Sequence, residues 1–248
     1  MHCKAVILAA GKGKRLRSSD NDTVPKVMKQ ACGRPLIDYV LGSLDWLSPE
    51  DIILVVGYGK EQVMEHCRGK GRFVEQKEQL GTGNAVDVCR ETLRDHEGPV
   101  LVCAGDMPLV TAETYRELLA VHEREQSDCT ILSAESADPA GYGRIVRENG
   151  SFSAIVEDRD CTPEQRKITE INSGIYVFDA KKLFSALREV TADNMQNEYY
   201  LTDVPGIMKR HGQKVSVYKI DDDWQVMGIN TYDQLLQVEE VMRDKGLV

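Results

Sequence analysis

The chain has no long hydrophobic run. Its longest apolar stretches, residues 5–10 and 52–56, fall far short of the about 20 residues a membrane span requires. Met1-His2-Cys3-Lys4 leads straight into a strand-like run without the apolar core of a signal peptide, so cytoplasmic residence with no membrane partner is expected. The seven cysteines (Cys3, Cys32, Cys67, Cys89, Cys103, Cys129, Cys161) are odd in number and never closer than 14 positions. That spacing excludes a disulfide framework and CxxC metal spacing, and leaves most of them as small buried hydrophobes. The five histidines have no ligand spacing, and no Ser/His/Asp or Cys/His arrangement is evident, which removes nucleophilic catalysis from the candidates.

What is present is an ordinary globular composition. With 248 residues, 42% of them hydrophobic and 29% charged, the chain is outside the disordered, collagenous and membrane classes. At this length roughly 70 to 75% of the unfolded surface can be buried without staples. One domain over residues 1–248 is the economical expectation. The net charge of −9 is unevenly spread: residues 1–34 hold eight Lys/Arg against two acids and are +6, leaving −15 for the remainder. An acidic protein is a poor general binder of nucleic acid, so no nucleic-acid partner is expected, whereas a local cationic segment suits a small polyanion. A solvated basic face is the plainer alternative.

Hydrophobic periodicity predicts alternating strands and helices over the first 135 residues: strands at 4–10, 51–58, 72–75, 99–104 and 129–134, helices at 35–47, 61–67, 81–95 and 111–126. That alternation calls for a mostly parallel, doubly wound sheet. The texture then changes. Segments 143–147 and 152–157 flank Asn149-Gly150, a strong hairpin signal, so an antiparallel annex is expected there. A strand at 170–178, helices at 180–189 and 198–210, a strand at 214–220 and a closing amphipathic helix at 231–245 complete the pattern.

Ligands of open parallel sheets bind at the carboxyl ends of the strands, and three loops stand out there. The first is Leu8-Ala9-Ala10-Gly11-Lys12-Gly13-Lys14-Arg15, where small residues let backbone amides approach a ligand and the cations, with Lys26 further on, imply several negative charges nearby. It is neither a Walker A loop nor a complete dinucleotide fingerprint, and a tight turn is its bland reading. The second runs from Glu75 and Gln76 to Gln79, Gly81, Thr82 and Asn84. Its amides and hydroxyl can read a nucleobase edge, or else be a helix cap with solvated glutamines. The third places Asp106 just past a buried strand, after Ala104-Gly105, as a hard oxygen ligand for Mg²⁺ or as a helix cap. Cations, a hard ligand and base-reading amides without a nucleophile describe phosphoryl chemistry driven by positioning and charge neutralisation.

The segments LAAGKGKRLRS, VPKVM, EQLGTGNAV, GDMPL, GYGRIVR, AIVEDRD, EINSGIYVF, NEYYLTDV and GIN occur in order across nearly the whole chain. In these the chain resembles the uridylyltransferase (pyrophosphorylase) domain of bacterial bifunctional UDP-N-acetylglucosamine enzymes, within the nucleotide-diphospho-sugar transferase superfamily. The resemblance implies an α/β, Rossmann-like GT-A fold, a mostly parallel mixed sheet whose small antiparallel annex forms the sugar side of the cleft. It implies Leu8, Ala9, Ala10, Gly11, Gln76, Gly81 and Thr82 as nucleotide contacts, and Arg15 and Lys26 as the cations on the triphosphate. Asp106 and Asn230 correspond to the ligands of Mg²⁺, and Ala104, Gly143, Glu157, Asn172 and Asn230 to sugar-facing positions. The implied reaction is Mg²⁺-dependent in-line transfer from UTP to N-acetylglucosamine 1-phosphate, a step toward cell-wall precursors, with Arg15, Lys26 and Asp106 catalytic.

The chain departs from the family pattern at Ala104 (usually Tyr), Asn84 (His), Arg159 (Lys) and Met227 (Glu). These changes fall where the sugar or uridine surroundings are tuned. Transfer to another sugar 1-phosphate, use of another nucleoside triphosphate, and a nucleotide-sugar binding protein without turnover therefore stand as alternatives. The hexapeptide repeats of the acetyltransferase half do not occur, so acetylation is not expected of this chain.

Overall fold

In the computed structural model, which describes residues 2–13, 16 and 22–248, Lys4–Ala9 form strand β1. A short hairpin of β2 (Gln30–Ala31) and β3 (Arg34–Pro35) precedes helix α1 (Leu36–Ser43). Alternation follows: β4 (Ile52–Val56), α2 (Lys60–His66), β5 (Arg72–Glu75), α3 (Thr82–Asp87), β6 (Pro99–Ala104), α4 (Ala112–Glu125) and β7 (Cys129–Glu135). Strands β6, β1, β4 and β5 lie side by side in parallel, with Leu8 opposite Ala104 on one side and Val55 on the other. Chain order reverses at β1, whose sequence neighbour β4 lies on one flank and β6 on the other, which is where such sheets open a ligand crevice.

The second half makes the sheet mixed. Strands β8 (Gly143–Glu148) and β9 (Ser151–Val156) pair around Asn149 (φ 50°) and Gly150 (φ 80°), the left-handed two-residue turn that Asn-Gly favours. The long β10 (Glu170–Asp179) then inserts antiparallel between β6 and β7 and also carries β8, its register shifting between Asn172 and Tyr176. Helices α5 (Ala180–Ala186) and α6 (Asp203–Arg210), strand β11 (Val215–Ile220) and helix α7 (Tyr232–Asp244) complete the chain, and the sheet order is β11-β7-β10-β6-β1-β4-β5. The fold is thus the α/β class expected, with the antiparallel annex branching from β10.

Period-two alternation explains why these runs are apolar throughout. Ala5, Ile7 and Ala9 face one layer, with Leu54, Leu101, Ile37 and Leu118, while Val6, Ile53, Val55 and Val102 face the other, with Leu183, Val204 and Met208. Each fully buried aliphatic side chain contributes roughly 1.5 to 3 kcal/mol, so burial on both faces dominates the sheet's stability. A third cluster of Leu36, Leu109, Ile229, Leu235, Val238 and Met242 seats α7. Six cysteines are buried as expected and none is paired, and burial pushes the thiols of Cys3, Cys89 and Cys103 up to about 12.

Helices α1, α3 and α6 are shorter than their periodicity suggests. Helix α1 stops at Ser43 rather than 47, because Leu44 N and Leu47 N bond three residues back, to Leu41 O and Leu44 O. Beyond Asp87 the bonds of α3 tighten to i→i+3, as in Cys89 N to Val86 O and Arg90 N to Asp87 O, and the segment continues as turns. Residues 198–202 are withheld from α6 because Tyr199 spends its backbone groups elsewhere: its N–H donates to Leu80 O at 2.8 Å, and its carbonyl accepts from Gly83 N at 2.7 Å. Among the described residues no helix is long and apolar enough to cross a membrane.

Candidate active site

The ends of β1 and β6 meet at the rim of the sheet. Gly105 N donates to Leu8 O at 2.9 Å, and a Cβ there would lie 2.8 Å from Ile37 Cδ1 and 3.2 Å from Leu8 O, so glycine lets this turn sit close against β1. The turn delivers Asp106 beside β1. From the other side comes Lys26, opening a 3-10 turn whose Val27 is anchored in the core. Gly13 (φ 56°) packs directly on it: a Cβ on Gly13 would be 2.7 Å from Lys26 Cβ.

The Lys26 ammonium forms an ion pair with Asp106 Oδ2 and donates to Asn230 Oδ1 at 2.9 Å. Both charged side chains are largely screened from water, at 17% and 15% exposure. Asn230 stands just before α7 and is held there by its own helix. Its N–H donates to Gln234 Oε1 at 2.7 Å, while Gln234 also completes a capping box with Thr231. Farther back, Gly228 N donates to the Tyr142 hydroxyl at 3.0 Å, tying the Asn230 loop to the annex. The buried Arg144 steadies Tyr142 in turn, donating to its carbonyl and to Asp158 Oδ1. Residues 26, 106 and 230, far apart in sequence, therefore share one point.

Two cavities adjoin that point and share Leu8, Thr82, Ala104 and Asp106 as a common wall. The larger, about 680 Å³, is lined by Ala10, Gly11, Lys12, Lys26, Gln76, Gly81 and Thr82 among others. Gln76 Nε2 donates to Gly81 O at 3.1 Å and to Asn84 Oδ1 at 2.8 Å. Gly81 has φ 115°, and a Cβ would sit 2.6 Å from Tyr199 O, so the close pass of the two loops demands glycine. Thr82 is no helix cap; its hydroxyl accepts from Leu201 N at 3.0 Å and stitches this loop to the start of α6. Gln79, Arg159, Gln196 and Glu198 also line this space.

The smaller cavity, about 300 Å³, holds Gly143, Glu157, Asn172 and Asn230. Gly143 fits tightly, as a Cβ would lie 3.1 Å from Ile155 Cγ2. Asn172 Nδ2 donates to the Tyr176 hydroxyl at 2.7 Å, which leaves its buried Oδ1 without a partner among the described residues. Such an orphaned acceptor calls for a donor from a ligand. Burial pushes the Glu157 carboxyl above its usual range, against a hydrogen bond from Thr202 Oγ1 at 3.0 Å, with Asp160, Asp203 and Asp158 adding repulsion. Thr202 precedes α6 without capping it, because its hydroxyl serves Glu157 instead.

Of the residues the resemblance assigns to the site, all that the structure describes line these cavities except Ala9, whose methyl lies in the core beneath the rim; of the second loop, Glu75 and Asn84 do not line them, Glu75 pairing with Lys60 and Asn84 accepting from Gln76. Arg15 and Lys14 lie outside the described residues. Sequence reasoning missed Tyr142, Tyr176, Thr202, Gln196 and Glu198. Tyr142 sits inside GYGR, but its partner Gly228 is 86 positions away and leaves no local signal.

Among the described residues no group of three His, Cys, Asp or Glu side chains forms a metal cage. The donor set present is of another kind: a carboxylate and an amide oxygen already converge on one cation, the Lys26 ammonium. Hard oxygen donors of this type and number suit Mg²⁺, which is commonly held by one or two protein oxygens together with substrate phosphates.

A family model described as nucleotidyl transferase matches residues 4–244. Among curated proteins, the chain is 43% identical over 242 residues to "Bifunctional protein GlmU" of Limosilactobacillus reuteri, covering 97% of this chain and 52% of that protein. It is also 43% identical over 247 residues to the protein of the same name from Clostridium botulinum, covering 99% and 53%. The chain thus spans about half the length of the curated relatives it matches. Among solved structures, a Bacillus anthracis chain crystallised with a sucrose superposes with a TM-score of 0.77 at 19% identity, covering 98% of this chain and 96% of the other. UDP-glucose pyrophosphorylase complexed with UDP-glucose gives 0.74 at 20% identity, covering 99% and 100%. At those identities the likeness speaks to the fold.

Proposed function

The chain belongs to the nucleotidyl transferase family, and from that premise we propose that residues 1–248 act as one unit transferring a uridylyl group from UTP to N-acetylglucosamine 1-phosphate, giving UDP-N-acetylglucosamine and pyrophosphate in the cytoplasm. One observation carries this reading: Lys26, Asp106 and Asn230 meet at the wall between a larger cavity lined by amides and cations and a smaller one lined by Asn172 and Glu157. A nucleotide in the first and a sugar phosphate in the second would bring acceptor and α-phosphate together over Asp106.

A sugar phosphate is already an anion and requires no general base. Its oxygen would attack the α-phosphorus in line. A new P–O bond would form as the bond to the β-phosphate breaks, and pyrophosphate would leave with the electron pair. The protein's contribution is then positioning and charge neutralisation. Lys12, Lys26 and Arg159 line the larger cavity and would face the triphosphate, and Arg15 joins them in this proposal on the strength of the sequence resemblance. Backbone at Leu8, Ala9, Ala10 and Gly11 would cradle phosphate and ribose, and Gln76, Gly81 and Thr82 the base. Gly143, Glu157, Asn172 and Asn230 would hold the sugar beside Ala104, with the orphaned Asn172 Oδ1 accepting from a sugar O–H or N–H.

Asp106 and Asn230 would hold Mg²⁺, whose contribution when bound is Lewis-acid neutralisation of phosphate charge. The protein's part is to keep the two oxygens converged, with Lys26 between them until a nucleotide offers it phosphate oxygens instead. The test is a panel of nucleoside triphosphates crossed with sugar 1-phosphates in the presence of Mg²⁺, read by pyrophosphate release. UTP with N-acetylglucosamine 1-phosphate is expected to exceed every other pair by about tenfold or more in kcat/KM. A different best pair contradicts the assigned base or sugar. Nucleotide-sugar binding without pyrophosphate from any pair contradicts the enzymatic reading.

A further inference from the structure

Gln76 is almost wholly enclosed, at 3% exposure, yet forms part of the larger cavity's wall. Its side-chain amide has two hydrogens to donate and one carbonyl oxygen to accept. The Gly81 carbonyl, 3.1 Å away, can only accept, so the nitrogen end of Gln76 must face it. The second hydrogen goes to Asn84 Oδ1 at 2.8 Å. Both donors are then used inside the protein. Oε1 has no hydrogen-bond partner among the described residues and is absent from the fully buried orphaned atoms, so it opens onto the cavity.

We infer that Asn84, by accepting the second amide hydrogen, is a positioning residue that keeps the carbonyl end of Gln76 toward the nucleobase and so selects a base bearing a ring N–H, uracil or thymine, against cytosine. The inference rests on the larger cavity being the nucleotide site. Uracil offers N3–H to an outward carbonyl. Cytosine presents a lone pair at N3, which would leave two acceptors facing each other in an enclosed site, and sites built around one hydrogen bond reject such analogues strongly. Rotating the Gln76 amide to suit cytosine would point its carbonyl at the Gly81 oxygen and at Asn84, whose own amide would have to turn over to meet it, so the wrong orientation is costly. With Asn84 gone, only the Gly81 bond opposes rotation.

The experiment compares kcat/KM for UTP and CTP with the same sugar 1-phosphate in the wild-type protein, Asn84→Ala, Asn84→Leu and Asn84→Asp. Alanine and leucine remove the acceptor, leucine at nearly constant volume should alanine not fold, and aspartate retains it. The UTP/CTP ratio is expected to fall about tenfold in the first two variants and to stay within about threefold of wild type in the third. A role in loop packing alone lowers both rates together, and an unchanged ratio in Asn84→Ala and Asn84→Leu overturns the inference. A ratio that collapses in Asn84→Asp as well overturns it too, because the acceptor is still there. A wild-type protein indifferent to UTP and CTP removes the uridine reading itself and this inference with it.

Discussion

Glu157 shows how a single carboxyl couples the smaller cavity to stability. Burial is the main cause of its raised pKa, and the bond from Thr202 only partly offsets it. In an acid whose folded-state pKa is raised, the native state binds the proton more readily than the unfolded chain does. The favourable contribution is therefore present at low pH and is lost as pH rises through the raised value. Glu157→Gln keeps an oxygen for the Thr202 hydroxyl and removes the buried charge. Its Tm is expected to exceed that of wild type at about pH 8, the difference closing toward about pH 5. The same variant is expected to raise KM for the sugar phosphate with KM for UTP unchanged. Thermal melts across that range check the first statement, and a variant less stable at the alkaline end contradicts it.

Helix α7 ties one element's local chemistry to the site. Its capping box uses Thr231 and Gln234, and Gln234 Oε1 also accepts from Asn230 N, so the cap and the Asn230 oxygen are one arrangement. Removing the cap with Thr231→Ala is expected to cost about 1 kcal/mol, or ~2 to 4 °C in Tm. It should also raise the Mg²⁺ concentration needed for half-maximal turnover, since Asn230 is less firmly held. A lowered Tm with an unchanged Mg²⁺ requirement would separate the helix end from the site.

Elements of this kind also show where sequence reading succeeds. The Thr111 cap of α4, the Asn149-Gly150 turn and the apolar runs of β1, β4 and β6 are specified by neighbours a few residues away, and all are legible in the chain. The start of α6 is not. Residues 198–202 have helical periodicity, but Leu80 and Gly83, over a hundred positions earlier, take the Tyr199 backbone groups. The wedge of β10 between β6 and β7 is likewise a pairing that periodicity cannot specify. Within the site, Lys26, Asp106 and Asn230 are recognisable through motif likeness, whereas their meeting point and the Tyr142 bond to Gly228 emerge only from the folded chain.

At the scale of the whole molecule, the two halves divide the labour. The parallel half, read from β1, β6 and the loops after them, supplies the larger cavity, including Lys12 and Lys26 from a strongly cationic amino-terminal stretch of an otherwise acidic protein. The annex and the bent part of β10 supply Gly143, Glu157 and Asn172 for the smaller one. Asp106 belongs to both, beside the switch in strand order at β1. The two cavities thereby meet at one carboxylate, with a lysine and an asparagine reaching it from opposite ends of the chain.

The most direct test is the rate of pyrophosphate release from UTP and N-acetylglucosamine 1-phosphate by Asp106→Asn, which preserves the side chain's shape and removes its charge. Loss of one such electrostatic contact is expected to lower kcat by about 10² to 10³, with far-UV circular dichroism like that of wild type. A folded Asp106→Asn protein retaining more than about a tenth of wild-type turnover would place the chemistry somewhere other than the wall between the two cavities.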